Sequence, residues 1–327
     1  MPEELLGIAQ ELDDIILDFA FLATHYSDAH PANAGDVSQV LPSILGGKLR
    51  SLFVETASDW YGIDRLEALA QIRADGRIGY RSQGIKAPRF YDLVRPIADR
   101  VLLITSTGSQ LPAIGQSIAS GKSGQLLTLV EVDENARQIR ILYGNREFGA
   151  IPSIETHVHL VANAISIEEG LPNPAVVHAH PYNLNLLARH RAICGKFDFF
   201  NAIIYTQIEG ILRNYPGLVG LVPYFESGSE QLVINSLGAL LAHRMVLWMN
   251  HGFVVRAENI RRAYILLSYA EDAARAALDA LEKRTLGLPF DAVERFLSEK
   301  GLMRAYTYIR SQIEGIPDDF LQTKLFS

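Results

Sequence analysis

The chain has 327 residues, 48% of them hydrophobic and 20% charged, an ordinary globular composition with ample material for a large core. A formal charge of -7 without a basic cluster argues against nucleic acid as a partner, and no apolar run reaches the ~18 residues of a membrane span. The start of the chain lacks a basic stretch followed by an apolar core, so no signal peptide is expected, and the single cysteine, Cys194, fits a reducing, cytoplasmic setting.

In chain order, apolar positions recur at helical spacing from Glu3 to about His25, which predicts an amphipathic helix. Asn33-Ala-Gly-Asp36 is a tight turn entering a strand that runs to Leu41, and such a turn can bring backbone N–H groups to an anion. Residues 42–99 read as a surface insertion that could carry substrate contacts, with one helix over Ile63–Ile72. Val101–Ile104 is a buried strand running into Thr105-Ser-Thr-Gly-Ser109, hydroxyls and a glycine that could bind a phosphate, a sugar or merely water. Leu126–Val132 and Ile139–Leu142 form an antiparallel pair around Asp133–Asn135. Pro152-Ser153 opens a helix with Glu155 in its first turn; the carboxylate is either a functional group or only a cap for its own helix.

Pro174-Ala-Val-Val-His-Ala-His-Pro181 carries the strongest signal. A buried strand delivers His178 and His180 to one face, because side chains alternate along a strand. Further on, Asn183–Ala192 reads as helix, Ala202–Ile208 as a strand or buried helical turn ending at Glu209, Val219–Val222 as a strand, and Gly228–Ala242 as helix. Met245–Trp248 repeats the earlier pattern, an apolar strand delivering His251 before a turn-forming Gly252. Ile260–Leu281 is a long alanine-rich amphipathic helix, and the part from about residue 289 reads as peripheral. Three neutral imidazoles with a carboxylate in reach suit a divalent first-row ion, zinc first, with a position left for substrate.

Pro152-Ser-Ile-Glu155, His178-Ala-His180 and Asn250-His-Gly252, in this order, resemble the class II aldolase and adducin family, with a match from about Asn33 to Leu281. Ile104–Gly108, Gly220–Tyr224 and Gly228-Ser-Glu230 bring the closest resemblance to its ketose-phosphate aldolases. The resemblance implies one α/β domain over residues 1–327, a three-layer α/β/α sandwich around a mainly antiparallel sheet, and a homotetramer acting on a small molecule. It implies that His178, His180 and His251 bind zinc, that Glu155 ligates it and then serves as the base, and that Glu209 is a second acid. Asn33, Gly35, Asp36, Thr107, Gly108 and Ser153 fall on the substrate side. The implied reaction is retro-aldol cleavage of a ketose phosphate, with zinc stabilising the enediolate of dihydroxyacetone phosphate. An epimerase, dehydratase or decarboxylase would use the same site, and an adducin-like interaction module is a different class of alternative. A cupin is excluded because its glutamate follows the histidine pair on an all-β barrel. The family's turn usually reads Gly-Asn and its glutamate usually follows serine; Asp36 and Ile154 depart from both. A carboxylate gained and a hydroxyl lost predict weaker phosphate recognition.

Overall fold

Alternation along the strands divides the apolar residues between two faces, and the helices sort accordingly. The computed structural model describes residues 15, 17–18, 21–22, 35–55, 57–62, 90–107, 109, 111, 113, 126–144, 152–190, 193–194, 196–215, 217–283 and 287–314. Within them lie strands β1 (Gly35–Val40), β2 (Tyr61–Gly62), β3 (Val101–Thr105), β4 (Leu127–Val132), β5 (Gln138–Tyr143), β6 (Ala175–Ala179), β7 (Val219–Val222), β8 (Met245–Trp248) and β9 (Gly252–Ala257). They form one nine-stranded sheet in the order β2-β5-β4-β3-β1-β6-β9-β8-β7. Every neighbouring pair is antiparallel except β7 and β8.

Helices α1 (Ser43–Phe53), α2 (Phe90–Val94), α3 (Thr156–Glu168), α4 (Tyr182–Arg189), α5 (Phe197–Tyr205), α6 (Glu209–Asn214), α7 (Glu230–Ala242), α8 (Ile260–Lys283), α9 (Phe290–Glu299) and α10 (Met303–Glu314) cover the sheet. On one face Val37, Leu103, Val177 and Phe253 pack with Leu45 and Leu49 of α1, Leu184 of α4, Phe200 of α5, Leu267 of α8 and Leu297 of α9. On the other, Ile104, Val176, Val246 and Trp248 pack with Val158 to Ile165 of α3, Leu232 and Leu240 of α7, and Val94 of α2. The result is the expected three-layer α/β/α arrangement.

Helix α3 is buried on nearly every side, so its polar residues need internal partners. Asn163 Nδ2 donates to Ser38 Oγ at 2.8 Å, and Ser166 Oγ donates to Ala162 O at 2.8 Å while accepting from the fully buried Arg256 at 3.0 Å. Glu271, in the middle of α8, accepts from the backbone N–H groups of Asn183 and Leu184, both at 2.9 Å. These two donors open α4, so this carboxylate anchors the start of the helix that follows His180.

Of the two readings of Ala202–Ile208 the structure takes the buried helical turn: Ala202–Tyr205 are buried and close α5. Two expectations change. The stretch from residue 289 is not peripheral, since Val293, Leu297, Leu302, Ala305, Tyr306 and Ile309 join the core and Phe296 stacks on Tyr205 at 4.8 Å. The start of the 42–99 stretch is core rather than surface, through Leu45 and Leu49 on α1. The helix expected over Ile63–Ile72 lies outside the described residues, as does most of that over Glu3–His25.

The fully buried Leu297 sits among these C-terminal contacts. Leu297→Ala is expected to lower stability by about 2–5 kcal/mol. Urea unfolding of the full chain checks this, and a loss below about 0.5 kcal/mol would return the segment to the periphery.

Candidate functional site

Register brings the site together. On β6, Val176 faces α3, so His178, two residues on, faces α3 as well. Strand β1 pairs with β6 so that Asp36 stands directly opposite His178. Gly35 carries φ of +144°, and a Cβ there would lie 2.3 Å from His178 O. Only glycine meets both demands, the backbone angle and the space. His180 follows the end of β6. His251 does not come from a strand end as expected but from the turn between β8 and β9, whose N–H donates to Trp248 O at 3.0 Å. Asn250 takes φ of +61° in that turn, a left-handed conformation asparagine tolerates.

The three imidazoles form a nearly equilateral triangle. Ring centroids are 5.0 Å apart for His178–His180, 5.0 Å for His178–His251 and 5.1 Å for His180–His251. One ring nitrogen from each lies within 4.8 Å of the others, a spacing that can hold a metal ion. His178 Nε2 is buried without a hydrogen-bond partner, which suits a ligand nitrogen. Trp248 backs the group, 4.7 Å from His178 and stacked at 5.0 Å on His251.

Glu155 stands at the N-cap position of α3, yet its side chain makes no capping hydrogen bond. The carboxylate instead bridges two histidines, with Oε2 3.1 Å from His178 Nδ1 and Oε1 3.2 Å from His251 Nε2. The structure therefore chooses against the cap reading. Ser227 Oγ also meets His251 Nε2, at 3.3 Å.

Asp36 is buried with both oxygens engaged. Oδ1 faces His159 Nε2 at 2.5 Å and His178 Nδ1 at 3.2 Å, and Oδ2 accepts from Ser153 Oγ. Burial alone would raise its carboxyl, but His159 and His178 outweigh that and hold it well below the usual carboxylate range. Glu155 is held down in the same way, burial being outweighed by His178 together with its hydrogen bonds to His178 and His251. Burial would lower His178, but Glu155 and Asp36 raise it. Burial and the neighbouring His178 and His251 push His180 down to about 4, so it stays neutral at neutral pH with a lone pair to offer.

A cavity of about 220 Å³ opens onto these groups, lined by Gly35, Asp36, Thr107 and Ser153 as expected, together with Glu155 and the three histidines. Ser106, Ser109, Ile154 and Ser227 also line it. Ser106 and Ser109 belong to the hydroxyl-rich exit of β3, but no local pattern singles out Ser227. Asn33 and Gly108 lie outside the described residues. Glu209 does not join the site in this chain. It opens α6 with its side chain 61% exposed, paired with Arg213 one helical turn on. The resemblance alone made it a second acid, and an apolar run that gives way to a helix leaves the carboxylate at solvent.

The expected clash between Asp36 and an anion is also revised. Its charge is turned onto two imidazoles and a hydroxyl rather than left bare in the cavity. Ile154 packs toward Gly228, where a Cβ would lie 2.6 Å from Ile154 Cγ1.

Among relatives of known activity, rhamnulose-1-phosphate aldolase from Enterococcus faecalis is 22% identical over 58% of this chain and 64% of its own length. The Klebsiella pneumoniae enzyme of that name is 23% identical over 59% of this chain and 69% of its own. The chain thus spans just under two thirds of the Enterococcus relative. A sugar-phosphate aldolase from Thermotoga maritima superimposes with a TM-score of 0.57 at 21% identity, covering 84% of this chain and 97% of that one, and supports the fold. Residues 94–278 match the model of the class II aldolase and adducin N-terminal domain, more than half of the molecule. The chain belongs to the class II aldolase and adducin family.

Proposed function

We propose that this protein is a metal-dependent carbon–carbon lyase of the aldolase type, acting on a small hydroxy-carbonyl compound or ketose phosphate. His178, His180 and His251 would hold the ion, with zinc the expected metal. The observation that carries the reading is the Glu155 carboxylate, buried at a helix start and aimed into the three-histidine cluster instead of capping its helix. A divalent ion held there would supply the Lewis acidity that lowers the cost of negative charge developing on a carbonyl oxygen.

The chain's own groups then have separable tasks. Glu155, held ionised, takes a proton from the carbon beside the carbonyl in the condensing direction and returns it there after cleavage. Its approach is fixed by Pro152, which forms a bridge with Ser106, and by Ser153 N donating to Thr105 O at 3.0 Å. Trp248 and the sheet close the inner side of the site against water. Hydroxyls of Ser106, Thr107 and Ser109 line the far side of the cavity, and among the described residues no lysine or arginine does.

Glu155→Gln keeps the size of the side chain and removes the base. The variant is expected to retain its divalent ion while exchange of the α-proton of a dihydroxyacetone-type ketone into D2O falls by about 10²-fold or more. Near-normal exchange would remove Glu155 from the chemistry.

Phosphate binding should be modest, because the Ser153 hydroxyl already donates to Asp36 and Ile154 brings no donor. With each hydrogen bond to a charged group worth about 1.5–3 kcal/mol, the kcat/KM preference for a ketose 1-phosphate over the free ketose is expected to stay below roughly 10³-fold. A larger preference would mean that another group supplies the phosphate contacts.

Gly252 gives an independent check on His178. A Cβ at this position would lie 2.3 Å from His178 Nε2 and 2.8 Å from Ala179 O. Gly252→Ala is therefore expected to weaken divalent-ion binding by at least about tenfold in chelator competition, the scale on which disturbed ligand orientation is felt. Unchanged affinity would show that the ring orientation does not matter.

A further inference from the structure

The buried polar chain behind the histidines extends further than the proposed chemistry uses. Asp36, His159, Ser38 and Asn163 form one connected group on the α3 face of β1: His159 Nδ1 meets Ser38 Oγ at 2.7 Å, and Asn163 Nδ2 reaches both Ser38 Oγ and His159 O at 2.8 Å. All four side chains are buried, with Asp36 the most exposed at 5%. A carboxylate so deep, with both oxygens occupied, is poorly placed to contact substrate even though it borders the cavity. It is well placed to act on His178, the residue directly across the β1–β6 pairing.

We infer that Asp36 is a positioning residue for the metal centre: clamped between His159 and His178, its carboxylate fixes the ring and the tautomer of His178 and leaves Nε2 as the ligand nitrogen. This rests on the three-histidine reading above. A proton on His178 Nδ1 has acceptors in Asp36 and Glu155, 3.2 and 3.1 Å away. Nε2, by contrast, is buried, has no hydrogen-bond partner and approaches Gly252 beside His251. A carboxylate on the far nitrogen of an imidazole both orients the ring and raises the basicity of the ligating nitrogen. His159 holds the carboxylate in turn: its ring is locked between Asp36 and Ser38, and Ser38 is fixed by Asn163. Glu155 touches the same Nδ1, but it stands at the mouth of a helix facing the cavity. Asp36 sits on a central strand and is the fixed partner of the two.

Two measurements on the full chain test the assignment. The first is Zn2+ and Co2+ affinity by competition with a chromophoric chelator, for wild type and Asp36→Asn, which keeps the shape of the side chain and removes its charge. The variant is expected to bind about 10–100-fold more weakly, with Co2+ absorption bands altered in position or intensity. The second needs no variant: 15N-histidine NMR of the Zn2+-loaded wild type should show His178 carrying its proton on Nδ1 and the metal on Nε2. Affinity of Asp36→Asn within about threefold of wild type, or His178 ligating through Nδ1, overturns the assignment. If Asp36→Asn does not fold, the NMR result alone decides. A wild type that binds neither ion overturns the three-histidine reading as well, which separates the two failures.

Discussion

The pairing of β1 with β6 is the constraint on which the site depends. It sets Asp36 opposite His178 near the middle of a nine-stranded sheet and leaves both on the α3 face. A slip of β1 by one residue against β6 would turn Asp36 into the opposite layer, away from His178, and carry Val37 out of that layer. Apolar alternation on both strands therefore protects the geometry of the polar groups. Gly35 completes the constraint, because no larger residue fits against His178 O where the strand begins.

Burying two carboxylates and several imidazoles together is costly unless each charge is answered. Here the answers are mutual. Glu155 and Asp36 share His178, Asp36 also takes His159, and Glu155 also reaches His251. The cost falls on a scaffold with large apolar cores on both faces, reinforced by α9 and α10. His180 is the neutral member of the group, kept so by burial and by its charged neighbours. Imidazoles bind a divalent ion only in their neutral form, so ion binding at this cluster would be coupled to proton release.

Part of this was legible in the sequence because it is written in short-range periodicity. Two histidines two apart on a strand must share a face, and a histidine beside Asn250 and Gly252 marks a tight turn. Seven of the sheet's nine strands and the long α8 follow from runs of apolar residues, while β2 and β9 were not read as strands. What stayed hidden depends on contacts between distant parts of the chain. Asp36 reads locally as a turn residue near an anion, and only the register against β6 shows that it serves His178. Ser227 is an unmarked loop residue until the β8–β9 turn is placed beside it. Glu209 was not decided by its sequence, because an apolar run has the same look whether it ends a strand or a helix; here it opens α6, exposed beside Arg213. The C-terminal helices did mislead: their polar faces dominate the sequence, while a narrow apolar stripe joins the core.

The central claim is that His178, His180 and His251 form a single divalent-ion site beside Glu155. The most direct measurement is an anomalous difference map from crystals of the Zn2+-loaded protein, collected on both sides of the zinc absorption edge. The account predicts one strong peak per chain, lying among those three imidazoles. No peak, or a peak held by other residues, would contradict it.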